Sequence, residues 1–144
     1  MNDAEEQIRK VLSDRDIALG AKNLEALMAY YSPSVVVFDA IPPFVYKGTE
    51  ALRLAWEGCF PCFPDSFGTE IRNLCIAVGG DVASAHYLWR FSGMEPDHPA
   101  MQTWMRNTTL LERKQGEWLI THEHWSVPFD PNTSKVVFSL DGSG

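Results

Sequence analysis

The chain has 144 residues, 45% of them hydrophobic, and a formal net charge of −7. That length suits one domain with a substantial core, and that apolar fraction excludes a disordered chain. No Lys/Arg-rich run and no apolar run near the roughly 20 residues of a membrane span is present, so neither nucleic acid nor a membrane is an expected partner.

Asp3 is placed to cap a first helix, with Glu5 and Glu6 in its first turn. Ile8, Val11, Leu12 and Leu19 recur at helical spacing, and Gly20 is a natural stop. Arg15 lies seven residues after Ile8, on or beside the apolar face. Its charge is expected at the rim with a buried stem; the other reading pairs it inside a cavity. Asn23 can cap a second helix through Leu24, Leu27 and Met28, followed by Tyr30 and Tyr31 and closed by Pro33. Val35-Val36-Val37-Phe38 reads as a strand ending at Asp39. Pro42-Pro43 forces a turn, Val45-Tyr46 resumes a short strand, and Gly48 ends it. Thr49 and Glu50 open a third helix with Leu52, Ala55, Trp56 and Cys59 on one side, broken by Pro61 and Pro64.

Beyond this point the period changes from 3.6 to 2. Segments 67–78, 82–93, 101–113 and 117–128 read as long strands, with tight turns at Gly79-Gly80-Asp81 and Lys114-Gln115-Gly116. The tail from Asn132 can add an edge strand or lie loose, and residues 141–144 are expected to be disordered. Helices first and antiparallel strands after predict an α+β fold: a curved antiparallel sheet of about four long strands plus short N-terminal strands. Three helices should pack on its concave face and close a cone with an internal pocket. Residues 1–131 form the one domain, and 132–144 a partly flexible tail.

The three cysteines, an odd number without a signal-peptide pattern, predict a reducing cytoplasm. Cys59-Phe60-Pro61-Cys62 has C-x-x-C spacing, but no second pair completes a zinc set and the pair ends a helix rather than starting one. Plain thiols are the expected reading.

Several blocks carry a resemblance when taken in order. They are Asn23-Leu24-Glu25-Ala26-Leu27; Val36-Val37-Phe38-Asp39 with Pro42-Pro43 and Gly48; Trp104-Met105-Arg106-Asn107-Thr108; Gly116-Glu117-Trp118; and His122-Glu123-His124-Trp125-Ser126-Val127-Pro128-Phe129. Together they resemble the SnoaL-like, ketosteroid isomerase-like group of the nuclear transport factor 2-like (cystatin-like cone) superfamily. The last block is also similar to the end of the calcium/calmodulin-dependent kinase association domain. The resemblance implies Asp39 at the position of the isomerase's base. It puts Arg15 where that enzyme has a tyrosine, and Met105 near its protonated acid, so both oxyanion donors are missing. Steroid isomerisation is therefore not implied, and a shared fold alone does not fix a function.

Strand parity separates two faces. Matched to the isomerase-like pattern, Ala85, Tyr87, Trp89, Met105, Asn107, Thr109, Thr121, Glu123 and Trp125 look into the cavity, unless a bulge swaps the sets beyond it. His86, Leu88, Arg90, Trp104, Arg106, Thr108, His122, His124 and Ser126 look outward, on a face read as a homodimer interface. The opposite reading turns His124 inward as a general base with Arg106 as anion anchor. A third makes His86, His122 and His124 metal ligands; none is the expected metal count.

The expected function is binding of a small organic ligand. Catalysis would then be cofactor-free isomerase, cyclase or hydratase chemistry: Asp39 is the base, Glu123 its acid/base partner, and Asn107 a polar donor. Arg15, Tyr30, Trp56, Tyr87, Trp89, Met105 and Trp125 would contact the ligand. The alternative is a non-catalytic ligand-binding or homo-oligomeric assembly module, in which Asp39 only bonds the backbone of its turn.

Overall fold

Helix α1 (Asp3–Gly20) carries Asp3, Glu5 and Glu6 in its first turn and buries Ile8, Leu12, Arg15, Asp16 and Leu19 along one stripe. The computed structural model describes residues 3–143; Met1 and Asn2 of the expected domain and Gly144 of the expected tail lie outside them. α2 (Leu24–Met28) is capped by the Asn23 side chain, which accepts the Ala26 N–H. β1 (Tyr31–Phe38) and the short β2 (Tyr46–Lys47) flank the Pro42-Pro43 turn, and α3 (Thr49–Cys59) follows. Lys22 Nζ donates to the carbonyls of Phe60 and Phe63, both at 2.8 Å, and so fixes the chain beyond α3.

Four long strands complete the sheet: β3 (Gly68–Gly79), β4 (Val82–Ser92), β5 (Met105–Lys114) and β6 (Glu117–Ser126). Gly80-Asp81 and Gln115-Gly116 are the hairpin loops; Gln115 and Gly116 have φ of 52° and 81°, which matches the twist of the strands. The order is β2-β1-β6-β5-β4-β3, curved and unclosed. The sheet is mixed, because β1 runs parallel to β6. The four long strands pair antiparallel as expected, and the parallel pairing is confined to β1, which reaches β6 only after the chain has passed through α3 and four strands, so no hairpin dictates its direction. β5 starts at Met105 rather than at residue 101, because Pro99–Met101 forms a 3-10 turn.

α1 packs on β3 and β6, and α3 on β1, so the helices cover the concave face. Side chains of β4 and β5 alternate as expected, with Ala85, Tyr87, Trp89, Asn107, Thr109 and Leu111 buried. On β6 the alternation breaks. Leu110 faces His122 but Leu111 faces Ile120, so Thr121 is an extra residue in a bulge. Trp118 and Ile120 point inward before it, Glu123 after it. Thr121, expected inside, instead donates to the Leu110 carbonyl.

The tail forms a separate two-stranded ribbon, β7 (Phe129–Asp130) with β8 (Lys135–Val136). It then returns to the outer sheet face. Trp104 donates its backbone N–H to Ser139 O and its indole N–H to Leu140 O, at 2.9 and 3.1 Å. Arg72 and Arg90 stack on its ring at 4.1 and 4.9 Å, and Arg72 also donates to the Asp141 carbonyl. Residues 141–143, expected to be loose, carry hydrogen bonds among Ser139, Asp141 and Ser143. No described helix is long and apolar enough to cross a membrane.

Candidate functional site

The apolar stripe of α1 brings Arg15 and Asp16 under the sheet, and the β6 bulge turns Glu123 to meet them. Arg15 is 2% and Glu123 1% exposed. Arg15 is thus paired inside rather than at the rim, because opposite charges from α1 and β6 meet there. Arg15 Nη1 donates to Glu123 Oε2 at 3.1 Å and to Tyr87 Oη at 2.9 Å, and Nε donates to Asp16 Oδ1 at 3.0 Å. Tyr31 and Asn107 also bond the Glu123 carboxyl. Asp16 Oδ2 accepts from Thr69 Oγ1 at 2.9 Å and from Trp89 Nε1 at 3.1 Å.

This cluster forms the polar floor of a cavity of about 210 Å³. Trp89 and Trp125 cross edge to face with centroids 4.9 Å apart on one wall, and Trp56 of α3 stands on another. Asp39 lies on the wall at the end of β1. Its Oδ1 accepts the Ala40 N–H at 2.6 Å, and the Ile41 N–H also bonds the carboxylate. Among the described residues no side chain bonds to it. Asp39 therefore both bonds the backbone of its turn and lines the cavity.

Burial, the largest effect, pushes the Asp39 carboxyl above its ordinary value of 3.8, and the two backbone N–H groups only partly oppose this. Burial likewise raises Glu123, against the lowering pull of Arg15. Burial pushes the Tyr87 hydroxyl up to about 12, so it is a neutral group at physiological pH. The Cys59 thiol also lines the cavity and is raised by burial, which makes it a poor nucleophile. Cys59, Cys62 and Cys75 are all free.

Of the expected site residues, Arg15, Asp39, Trp56, Trp89, Met105, Glu123 and Trp125 line the cavity. Tyr87 and Asn107 are not on the cavity wall and are tied by hydrogen bonds to Arg15, Thr109 and Glu123. Tyr30 does not reach the cavity. β1 starts at Tyr31, so Tyr31 turns inward, while the Tyr30 carbonyl accepts from Ile120 N. Asp16 escaped the sequence reading, although its position four residues after Leu12 puts it on the buried stripe.

The inward reading of His124 and Arg106 is corrected. Both are exposed on the convex face, where Arg106 Nε donates to Ser126 Oγ and His124 meets the edge of the Phe38 ring. A shared metal on the histidines is also corrected. His86 and His124 are each paired with Thr108, two strand spacings or roughly 10 Å apart. His122 Nδ1 is bound to the Val36 carbonyl at 2.6 Å. Among the described residues no three His, Cys, Asp or Glu side chains converge to hold a metal ion. The expected interface is narrowed as well, since Trp104 is 5% exposed beneath the chain's own tail, which also reaches Arg72.

Residues 8–130 match the SnoaL-like domain family. No curated protein gives a match. Among solved structures, an NTF2-like protein of unknown function from Pseudomonas putida is 34% identical, with a TM-score of 0.85 over 95% of each chain. A candidate dehydratase of the NTF2-like family from Streptomyces avermitilis is 15% identical, with a TM-score of 0.74 over 89% of this chain and 99% of its own. The association domain of C. elegans CaMKII is 19% identical, with a TM-score of 0.67 over 87% of this chain and 99% of its own.

Proposed function

This chain belongs to the SnoaL-like domain family, and from that premise we propose that it binds a small organic molecule in the Asp39–Glu123 cavity and performs cofactor-free acid/base chemistry on it. Proton transfer next to a carbonyl, or the related hydration and dehydration, suits the residues available. Asp39 is the proton acceptor. The observation that carries this reading is a carboxylate in an aromatic cavity with no cation bonded to it and its ionised form disfavoured by burial. Such a group holds a proton closer to neutral pH than a surface aspartate does. Glu123, held by Arg15, Tyr31 and Asn107, is a fixed polar wall rather than the mobile base.

The test is deuterium uptake. Enolisable ketones that raise the melting temperature are incubated with the protein in D₂O and followed by NMR. Wild-type protein should exchange the proton next to the carbonyl, and Asp39→Asn should slow this by about 100-fold or more, within the usual range for a general base. Binding without uptake for every such ketone would remove the enzymatic reading and leave a binding module.

We also infer pairing of two copies through the uncovered half of the outer sheet face. Phe38 and Leu110, each 41% exposed, lie there beside His122 and His124. The likeness to an association domain supports assembly of some kind.

A further inference from the structure

Arginine has five N–H donors. In Arg15 the Nε–H goes to Asp16, and Nη1 goes to Tyr87 and Glu123. Nη2 lies 2.9 Å from Asp16 Oδ1 as an ion pair without making a hydrogen bond to it. Nη2 has no hydrogen-bond partner among the described residues. The side chain is 2% exposed, so bulk water does not serve it either. Buried polar groups are nearly always paired, and one that is not carries its full desolvation penalty. The guanidinium belongs to a residue that lines the cavity, which makes a cavity ligand the available source of the missing acceptor.

Charge and size limit what that ligand is. Arg15 is the single cationic residue on the described wall, against the three carboxyl groups of Asp16, Asp39 and Glu123. An added carboxylate would be repelled, whereas a neutral oxygen accepts the N–H without adding charge. A cavity of about 210 Å³ is somewhat larger than the roughly 150 Å³ that holds benzene. One ring with a short substituent fits that volume. The indoles of Trp56, Trp89 and Trp125 supply the apolar walls.

We propose that Arg15 is the specificity-determining donor of this cavity, and that its ligand is a neutral carbonyl compound of single-ring size whose oxygen accepts from Nη2. The proposal rests on the cavity being the ligand site, and not on turnover by Asp39.

Calorimetric titration at pH 8 with acetophenone, ethylbenzene and benzoate tests it on the intact protein. Acetophenone should bind about 10- to 100-fold more tightly than ethylbenzene, the value of one hydrogen bond from a charged donor. Benzoate should bind no more tightly than acetophenone. Arg15→Lys keeps the positive charge beside Asp16 and Glu123 but removes Nη2. It should bring the preference for acetophenone over ethylbenzene, read within the variant, close to one. Equal binding of the ketone and the hydrocarbon, no binding of either, or tighter binding of benzoate overturns the proposal. So does an Arg15→Lys protein that folds and keeps the full preference; if that variant does not fold, the wild-type series decides alone. Acetophenone is itself enolisable, so preferential binding without deuterium uptake would refute the Asp39 reaction and leave the Arg15 assignment standing.

Discussion

Arg15 Nη1 of α1 lies 3.1 Å from Glu123 Oε2 of β6, and the two side chains are 2% and 1% exposed. They are 108 positions apart in the chain, and their contact joins the first helix to the last long strand beneath the cavity. Replacing one partner leaves the other charged and buried. Arg15→Met should therefore cost about 3–5 kcal/mol. Glu123→Gln still accepts from Arg15 and Asn107 and should cost about 1–2 kcal/mol. Urea denaturation at pH 7 measures both, and equal costs would contradict an uncompensated buried charge as the cause.

Asp39 should make the protein less stable as pH rises. Its carboxyl is raised in the fold above the ordinary 3.8, so the folded state holds the proton more tightly than the unfolded chain does. The resulting stabilisation is fully present below the unfolded value and is lost as pH climbs through the folded one. Glu123, raised from 4.5, acts in the same direction. Asp39→Asn keeps an oxygen for the Ala40 N–H and removes the charge. It should raise the melting temperature at pH 8, with the gain vanishing below about pH 3.8. A lower melting temperature at pH 8 would show that the carboxylate is stabilising instead.

Gly20 is more than a helix stop. A Cβ there would stand 2.2 Å from the Phe67 carbonyl oxygen, and Phe67 N donates to Gly20 O at 3.0 Å. Gly→Ala within a helix ordinarily gains up to about 1 kcal/mol. Here the obstacle is backbone tied to backbone, so Gly20→Ala should destabilise by about 1–3 kcal/mol through overpacking. Thermal or urea unfolding with the sign reversed would show that α1 and the start of β3 can separate at little cost.

The tail over Trp104 gives an optical prediction. Deleting residues 139–144 removes the carbonyls that accept from the Trp104 indole and backbone N–H. The ring is 5% exposed, so its emission should shift to the red and stability should fall by about 1–3 kcal/mol, as for an aromatic side chain returned to water. Trp104→Phe in both chain lengths isolates its signal. An unchanged difference spectrum would mean that the tail does not cover Trp104 in solution.

Pairing through the other half of the outer face should depend on Leu110, whose 41% exposure is high for a leucine at the centre of a sheet. Leu110→Glu should convert a dimer to a 16.2 kDa monomer in sedimentation at micromolar concentration without lowering the melting temperature of the fold. A wild-type monomer, or a dimer that tolerates the glutamate, would remove that interface.

Read along the chain, the sequence by itself determined whatever depends on neighbours a few residues apart. Ile8, Leu12 and Leu19 set the buried stripe of α1, and Gly80 and Gly116 placed the hairpin loops. Alternation from Ala85 to Trp89 separated one face of the sheet from the other, while the isomerase-like resemblance implied which of them is concave. These follow from the 3.6 and 2 periodicities and from the few residues that tolerate positive φ. Tertiary structure alone decided the rest, because it depends on partners far apart in sequence. Arg15 could sit at the rim or inside until Glu123 arrived from β6. The bulge at Thr121 is a matter of register against β5, and its single extra residue brings both Ile120 and Glu123 inward. The parallel pairing of β1 with β6 and the folding of Leu140 over Trp104 leave no local pattern either. A charge on an apolar stripe has two resting places of similar local cost, and only the opposite charge that the fold brings to it selects one.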